Sequence, residues 1–492
     1  MKLKDLLEVL SPFEIQNSNE DIDIKGIAYD SREVKKDFLF AALPGQNTDG
    51  YRFIPDAAKN GASAIIAERW SNDIKDIPQV IVPDARAAVA RLACRFFEEP
   101  SKKLILIGVT GTNGKTTTTF LIESMLKQAG FKPGVIGTIN YRYMDNIIDA
   151  PHTTPEATDL QKILKDMAAH GATHCIMEVS SHALSQKRVD GCAFRGGVFT
   201  NLTQEHLDYH GTMENYFKSK ARLFEEFLPK VENSFAVVNI DDEWGRLLKV
   251  KSQNTKVKTI EYSLNAEVMG NIFPEKMNFT DNGIDALLST PAGNIHVSSK
   301  LLGQYNLQNI MSAVGTGIGL GIKTQDIEKA VSSLEQVHGR VERILSKKGF
   351  QAVVDYAHTG DALFRLLTAI RNIAKARIIT VFGCGGNRDK GKRPIMGEIA
   401  ARLSDIAIIT SDNPRNEDPL EIIKEIEAGV KGQDYIIIPD RKEAIKKAVR
   451  LAKKGDIIVL AGKGHEKYQI IGNEKSPFDD VEEIKRAMEC LN

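Results

Sequence analysis

A glycine-rich turn set between an apolar strand and a helix start leaves a chain few folds to adopt. Residues 104–107 are apolar, and Gly108-Val109-Thr110-Gly111-Thr112-Asn113-Gly114-Lys115-Thr116-Thr117 follows at once. Glycines there let backbone N–H groups close around a triphosphate, and the next helix aims its positive end at the anion. In that geometry Lys115 reaches the outer phosphates and the Thr116 hydroxyl is placed to ligate Mg²⁺. Gly111, Thr112, Asn113, Gly114 and Thr117 complete the loop. The broad phosphate-loop pattern asks for glycine at position 109; Val109 stands there, so only the narrower form Gly-Thr-Asn-Gly-Lys-Thr-Thr is met. The expected ligand is ATP.

A length of 492 residues predicts about three domains, each able to bury its own core. With 65 basic and 65 acidic side chains, no charge excess argues for nucleic acid or membrane as a partner. Cys94, Cys175, Cys192, Cys384 and Cys490 form no Cys-x-x-Cys pair, which fits a reducing compartment rather than a disulfide framework. Lys2, Lys4, Asp5 and Glu8 interrupt the first residues too often for a signal-peptide core, and no later run approaches transmembrane length. A cytoplasmic protein is expected.

The punctuation divides the chain into residues 1–100, 101–334 and 335–492, α/β throughout, with 98–103 as a polar linker. Strands are predicted at 26–29, 37–40 and 62–67, at 175–179 and 236–239, and at 352–355, 377–382, 406–410 and 457–460. Gly315-Thr316-Gly317-Ile318-Gly319 has the spacing of a dinucleotide turn, but no strand precedes it, so a glycine-containing helix is expected.

Further chemistry follows the phosphate loop. Glu178 ends an apolar strand, where a carboxylate can meet Mg²⁺ near Thr116 or merely cap a helix. The loop His206-Leu207-Asp208-Tyr209-His210 concentrates metal-capable side chains, though paired histidines are often structural. In a helix predicted over 214–228, Tyr216, Phe217, Ala221, Phe224, Phe227 and Leu228 form an apolar stripe that includes Lys220. Lys220 therefore either snorkels at an edge or has a function. In the third unit, the loops 383–388, 412–415 and 462–466 each follow a strand, and the carboxyl ends of parallel strands share one edge. Their cations suggest an anionic ligand. Lys390-Gly391-Lys392-Arg393 reads as a solvated basic loop.

Taken together these residues resemble the Mur ligases, ATP-dependent amide-bond formers of bacterial cell-wall precursor synthesis. The resemblance covers nearly the whole chain. It is carried by Asp30-Ser31-Arg32, residues 110–117, Thr153-Thr154-Pro155, residues 178–182, the surroundings of Lys220, His338-Gly339-Arg340, Asp355-Tyr356-Ala357-His358 and the three loops of the third unit. It implies an N-terminal domain for a uridine nucleotide, a central phosphate-loop ATPase domain and a C-terminal Rossmann-like domain for an incoming amino acid. Tyr29, Ser31, Gln46, Asn47 and Thr48 would then meet the uridine nucleotide, and Thr153, Thr154, Ser180, Gln186 and Arg188 the muramoyl-dipeptide. Asn306, Asn309, Arg340 and Asp355 match nucleotide-contacting positions. Thr116, Glu178, His206 and Lys220 would hold the metal, Lys220 as a CO₂-derived carbamate. Arg388, Asp412, Asn413, Pro414, Arg415, Gly462 and Glu466 would hold meso-diaminopimelate.

Catalysis would fall to Lys115, Lys220, His206 and Glu178, through an acyl phosphate that the amino acid's amine attacks. The implied partners are small molecules only, with the chain a monomer. Glu205 and Gly360 stand where the family usually carries aspartate and proline. Rival readings are another ligase of this superfamily, folylpolyglutamate synthase or the lysine-adding enzyme, and a phosphate-loop NTPase acting on a macromolecule.

Overall fold

The computed structural model describes residues 1–17, 21–45, 48–252, 255–268, 270–431 and 435–491. The strand Ala62–Ala67 lies in the middle of the first sheet, whose order is Glu14–Gln16, Gln79–Ile81, Ala62–Ala67, Phe38–Ala41, Gly26–Ala28. Only its first strand is antiparallel to its neighbour. Apolar clusters cover both faces. The expected linker is partly built in: Pro100–Lys102 is a turn of 3₁₀ helix, and Pro100 and Ser101 are buried. Polarity of the neighbouring residues hid that anchoring.

The second sheet runs Lys258–Tyr262, Phe235–Asn239, Phe194–Phe199, Ile105–Thr110, His174–Glu178, Pro133–Ile136, Asn140–Tyr143, Asn146–Asp149. The first six strands are parallel and the last two form an antiparallel extension. Strands buried on both faces must be apolar on both. Along His174–Glu178, Cys175 and Met177 enter one core and Ile176 the other. The second core is roofed by the helices Lys115–Gln128, Gln304–Gly319 and Thr324–Ser333. Gly315 indeed lies in a helix, so close to the sheet that a Cβ would fall 2.8 Å from Val237 Cγ1. A three-stranded antiparallel sheet, Phe273–Thr280, Gly283–Ser289 and Ile295–Ser299, packs Ile284, Ala286, Leu288, Ile295 and Val297 into that core. Sequence patterning singled out none of it.

The third sheet has the order Glu342–Leu345, Gln351–Asp355, Ile457–Ala461, Ile378–Phe382, Ile406–Ile409, Tyr435–Ile437, parallel except for its first strand. Cores on both faces make it a doubly wound layer. The five cysteines are free thiols, and among the described residues no helix is long and apolar enough to cross a membrane.

Candidate active site

Strand Ile105–Thr110 enters the phosphate loop at the carboxyl edge of the central sheet, where glycine is obligatory twice. Gly111 has φ +145° and a Cβ there would lie 1.9 Å from Thr200 Oγ1; Gly114 has φ +88° and would press 2.2 Å from Asn309 Oδ1. Lys115 opens the helix, and its Nζ donates to the Gly111 and Thr112 carbonyls at 2.9 and 2.8 Å. The Thr116 hydroxyl donates to Glu178 Oε2 at 3.1 Å. Glu178 also accepts from the Thr138 hydroxyl at 2.9 Å and its N–H at 3.0 Å, while Ser180, not Glu178, caps the next helix. Thr138 follows Gly137 in a loop that no motif marks. A Cβ on Gly137 would sit 2.5 Å from Glu178 Oε1, so this carboxylate is closely encased.

Lys220 lies inside its helix's apolar face rather than at an edge of it. Its residue is 1 % exposed, which excludes snorkelling. Its Nζ lies 2.9 Å from the Gly111 carbonyl and 4.7 Å from the centre of the Tyr216 ring. Burial, then the neighbouring Lys115 charge, push its amine well below the ordinary lysine range. Its helix is Met213–Arg222, shorter than predicted; Leu223–Phe227 form a π turn and Leu228–Lys230 a 3₁₀ turn. His206, at φ +57°, also faces Tyr216, with ring centres 6.0 Å apart. Its side chain is 41 % exposed at the cleft mouth, and desolvation by the cleft walls with nearby cations pushes its imidazole down to about 4. Among the described residues no group of three His, Cys, Asp or Glu side chains forms a metal cluster. Thr116 and Glu178 do supply hard oxygen donors, and Mg²⁺ typically takes only one or two carboxylates with substrate phosphates.

The cleft between the second and third sheets gathers the loop residues 112–117 with Asn306, Asn309, Arg340 and Asp355. Asn309 Nδ2 donates to Asn306 Oδ1 at 3.1 Å, and Arg340 Nη2 donates to the Thr116 hydroxyl at 3.2 Å. Arg340 Nε is buried without a partner among the described residues, a donor that suits a polyanion. Asp355 accepts from the Val341 and Ala357 N–H groups, and burial raises its carboxyl. Sequence reasoning passed over Asn201, whose Oδ1 accepts from the Asn113 N–H at 2.9 Å, and Asp361, which accepts from Asn113 Nδ2 at 3.0 Å.

Thr153, Thr154, Ser180, Gln186 and Arg188 converge beside Glu178. Thr153 meets the Thr138 hydroxyl, Thr154 donates to the Glu178 carbonyl, and Arg188 donates to the Thr154 carbonyl and to Gln186. Tyr29 donates to Asp159 of the central unit at 2.7 Å, and Ser31 is buried in a 3₁₀ turn. Gln46 and Asn47 lie outside the described residues; Thr48 stands just beyond them.

A second cleft brings together Arg388, Asp412, Asn413, Arg415, Gly462 and Glu466 with His182, His206 and His358. Asn413 Nδ2 donates to Glu466 at 2.8 Å and Lys463 lies 3.3 Å from the same oxygen. Asp412 is crowded by Gly462, where a Cβ would fall 2.6 Å from Oδ2. Pro414 packs its carbonyl against Gly386. Arg415, at φ +52°, donates through Nη1 to the Gly386 carbonyl at 2.7 Å; among the described residues it forms no ion pair. The solvated-loop reading of 390–393 is corrected at Arg393, which is 0 % exposed in the first turn of the helix Lys392–Leu403.

A phosphate loop on one doubly wound unit, facing a second such unit across a cleft with its own cationic loops, defines a two-substrate, nucleotide-driven ligase. The family descriptions "Mur ligase family, catalytic domain", "Mur ligase middle domain" and "Mur ligase, glutamate ligase domain" match residues 23–97, 109–317 and 339–464. The chain belongs to the Mur ligase family, whose members form amide bonds with ATP, releasing ADP, in peptidoglycan precursor synthesis. It is 45 % identical over 512 residues to the UDP-N-acetylmuramoyl-L-alanyl-D-glutamate--2,6-diaminopimelate ligase of Geobacter metallireducens, covering 100 % of this chain and 99 % of that one. The enzyme of the same name from Clostridium tetani is 44 % identical over 497 residues, with 100 % of both chains covered. A solved structure of a ligase so named superposes with TM-score 0.72 at 35 % identity, covering 100 % of this chain and 99 % of that one.

Proposed function

We propose that this chain joins meso-diaminopimelate to UDP-N-acetylmuramoyl-L-alanyl-D-glutamate in the cytoplasm. Residues 1–100 bind the uridine nucleotide, 101–334 bind ATP and the peptide, and 335–492 bind the amino acid. The D-glutamyl γ-carboxylate attacks the γ-phosphorus of ATP, ADP leaves, and the amine then displaces phosphate from the acyl phosphate. Both stages gather negative charge. Lys115 and the loop N–H groups offset it, and Thr116, Glu178, His206 and a carbamylated Lys220 would hold Mg²⁺, which would supply further positive charge. The depressed amine of Lys220 supports the carbamate, because only a neutral amine adds CO₂.

The observation that carries the substrate choice is Arg415, a guanidinium in the second cleft with no carboxylate partner among the described residues. Diaminopimelate differs from lysine by a distal carboxylate, which a planar guanidinium can grip with two hydrogen bonds. Lysine would leave that cation unpaired, a mismatch that polar sites reject far better than a missing methylene. A panel of amino acids assayed with ATP and the UDP-muramoyl-dipeptide tests this. Ligation of meso-diaminopimelate should exceed that of L-lysine at least about a hundredfold in kcat/KM. Arg415→Ala should raise the KM for diaminopimelate much more than that for ATP. Equal use of both amino acids would refute the specificity and leave the ligase chemistry standing.

A further inference from the structure

One member of the basic run 390–393 meets no ligand cleft yet heads the largest side chains fully withdrawn from solvent: Arg393. A guanidinium is tolerated in a protein interior where anions and carbonyls match its donors. Here the partners of Nη1 and Nη2 come from two loops and from the helix Pro419–Glu427, while Nε has none among the described residues. Nη1 donates to Glu417 Oε2 at 2.9 Å and to Glu425 Oε2 at 2.7 Å. Nη2 donates to Glu417 Oε1 at 3.1 Å and to the Gly385 carbonyl at 3.3 Å. Gly385 lies in the loop after the strand Ile378–Phe382, and Glu417 in the loop after Ile406–Ile409.

The seam between those loops continues outward from Arg393. Glu417 accepts from the Asn387 N–H, Asn387 Oδ1 accepts from the Asn416 N–H at 3.1 Å, and the Gly386 N–H donates to the Asn413 carbonyl at 2.9 Å. Gly386 is pressed so near Pro414 that a Cβ would fall 1.9 Å from its oxygen. At the cleft end of the seam Arg415 donates to the Gly386 carbonyl. The spacing of the two loops therefore sets the direction in which the Arg415 fork points.

We infer that Arg393 is a positioning residue for the amino-acid substrate, clamping both loops through Gly385 and Glu417 so that Arg415 is aimed at a distal carboxylate. This rests on the reading of Arg415 given above. A lysine at 393 keeps the charge, but one ammonium cannot span both Glu417 oxygens, Glu425 and the Gly385 carbonyl in a single plane.

The test is steady-state kinetics of Arg393→Lys and Glu417→Gln, each alone and combined with Arg415→Ala. Arg393→Lys should raise the KM for meso-diaminopimelate at least about tenfold, leave the KM for ATP within about twofold, and narrow the preference over L-lysine. In the Arg415→Ala background it should add almost nothing, because both changes remove one interaction. A uniform change in all KM values, no change, or the full effect added on top of Arg415→Ala would overturn the inference. Should Arg393→Lys fail to fold, Glu417→Gln carries the same prediction at about threefold, and an unmoved KM there is equally fatal. An Arg415→Ala enzyme with an unaltered diaminopimelate KM would sink the Arg415 reading and this inference with it. A raised KM there, beside an unaltered one in Arg393→Lys, overturns this inference alone.

Discussion

Lys115 and Lys220 come from different helices and place their amines 2.9 Å from one oxygen, the Gly111 carbonyl. They are not equivalent. Lys115 opens the helix that faces the cleft, so Lys115→Ala should keep the fold, by circular dichroism, and lose at least about a hundredfold in ligation, the scale of a charge clamp on a transferring phosphoryl group. Near-normal turnover at saturating ATP would contradict this. Lys220 is walled in by Tyr216, so Lys220→Ala should be strongly impaired and partly rescued by short carboxylic acids that refill the position of a carbamate. Full activity without added acid would exclude a role for the modified lysine. Lys220 could be singled out from sequence because a charge on an apolar stripe contradicts its surroundings. Thr138, which steadies Glu178, could not: a threonine after a glycine is ordinary in any loop. Arg393 was misread for the opposite reason, since it stands in a run of like charges and its anions lie 24 and 32 residues further on.

At the scale of the element, strands such as Ile105–Thr110 were legible because burial on both faces demands an unbroken apolar run. The sheet 273–299 was not. Phe273–Thr280 buries only Pro274, the other two strands bury largely alternate residues, and lysine, asparagine and aspartate face outward, so they read as loop. The helix around Lys220 was overextended because the π turn Leu223–Phe227 still buries Leu223, Phe224 and Phe227, and apolar spacing alone does not show the extra residue. Charge can also join elements without touching the site. Arg441 of the helix Arg441–Leu451 and Asp480 of Asp480–Glu489 are both fully buried and share two hydrogen bonds of 2.8 and 2.6 Å. Arg441→Ala should destabilise the protein by about 3–5 kcal/mol in urea unfolding, since it strands a buried carboxylate. A loss below about 1 kcal/mol would show that water reaches the pair.

Over the whole molecule, the first unit grips the second through Tyr29 with Asp159, Arg86 with Glu156 and Lys187 with Asp84. The third unit meets the second through groups of the cleft itself: Asn113 with Asp361, Thr116 with Arg340 and Glu205 with His358. Glu205 lies 3.4 Å from His358 across that boundary. Asp361→Ala should lower kcat about fivefold, the worth of one such hydrogen bond, and leave the KM for the uridine substrate unmoved; the reverse pattern would place the contact outside the catalytic step. Such cross-unit partners were out of reach of sequence patterning, because no local period links residues 248 positions apart. The joint between the second and third units has a consequence for modularity. Gly339, at φ +66° with no room for a Cβ beside the His465 amide, Arg340 over the Tyr356 ring and Val341 tied to Asp355 make the connecting chain part of the cleft that the 112–117 loop lines. A chimera cut near residue 100 has to keep the buried Pro100–Lys102 turn and the contacts of Tyr29, Arg86 and Asp84 with the second unit. A cut between the helix Thr324–Ser333 and the strand Glu342–Leu345 has to carry that whole segment over intact, because Arg340 and Val341 of the connecting chain also line the cleft.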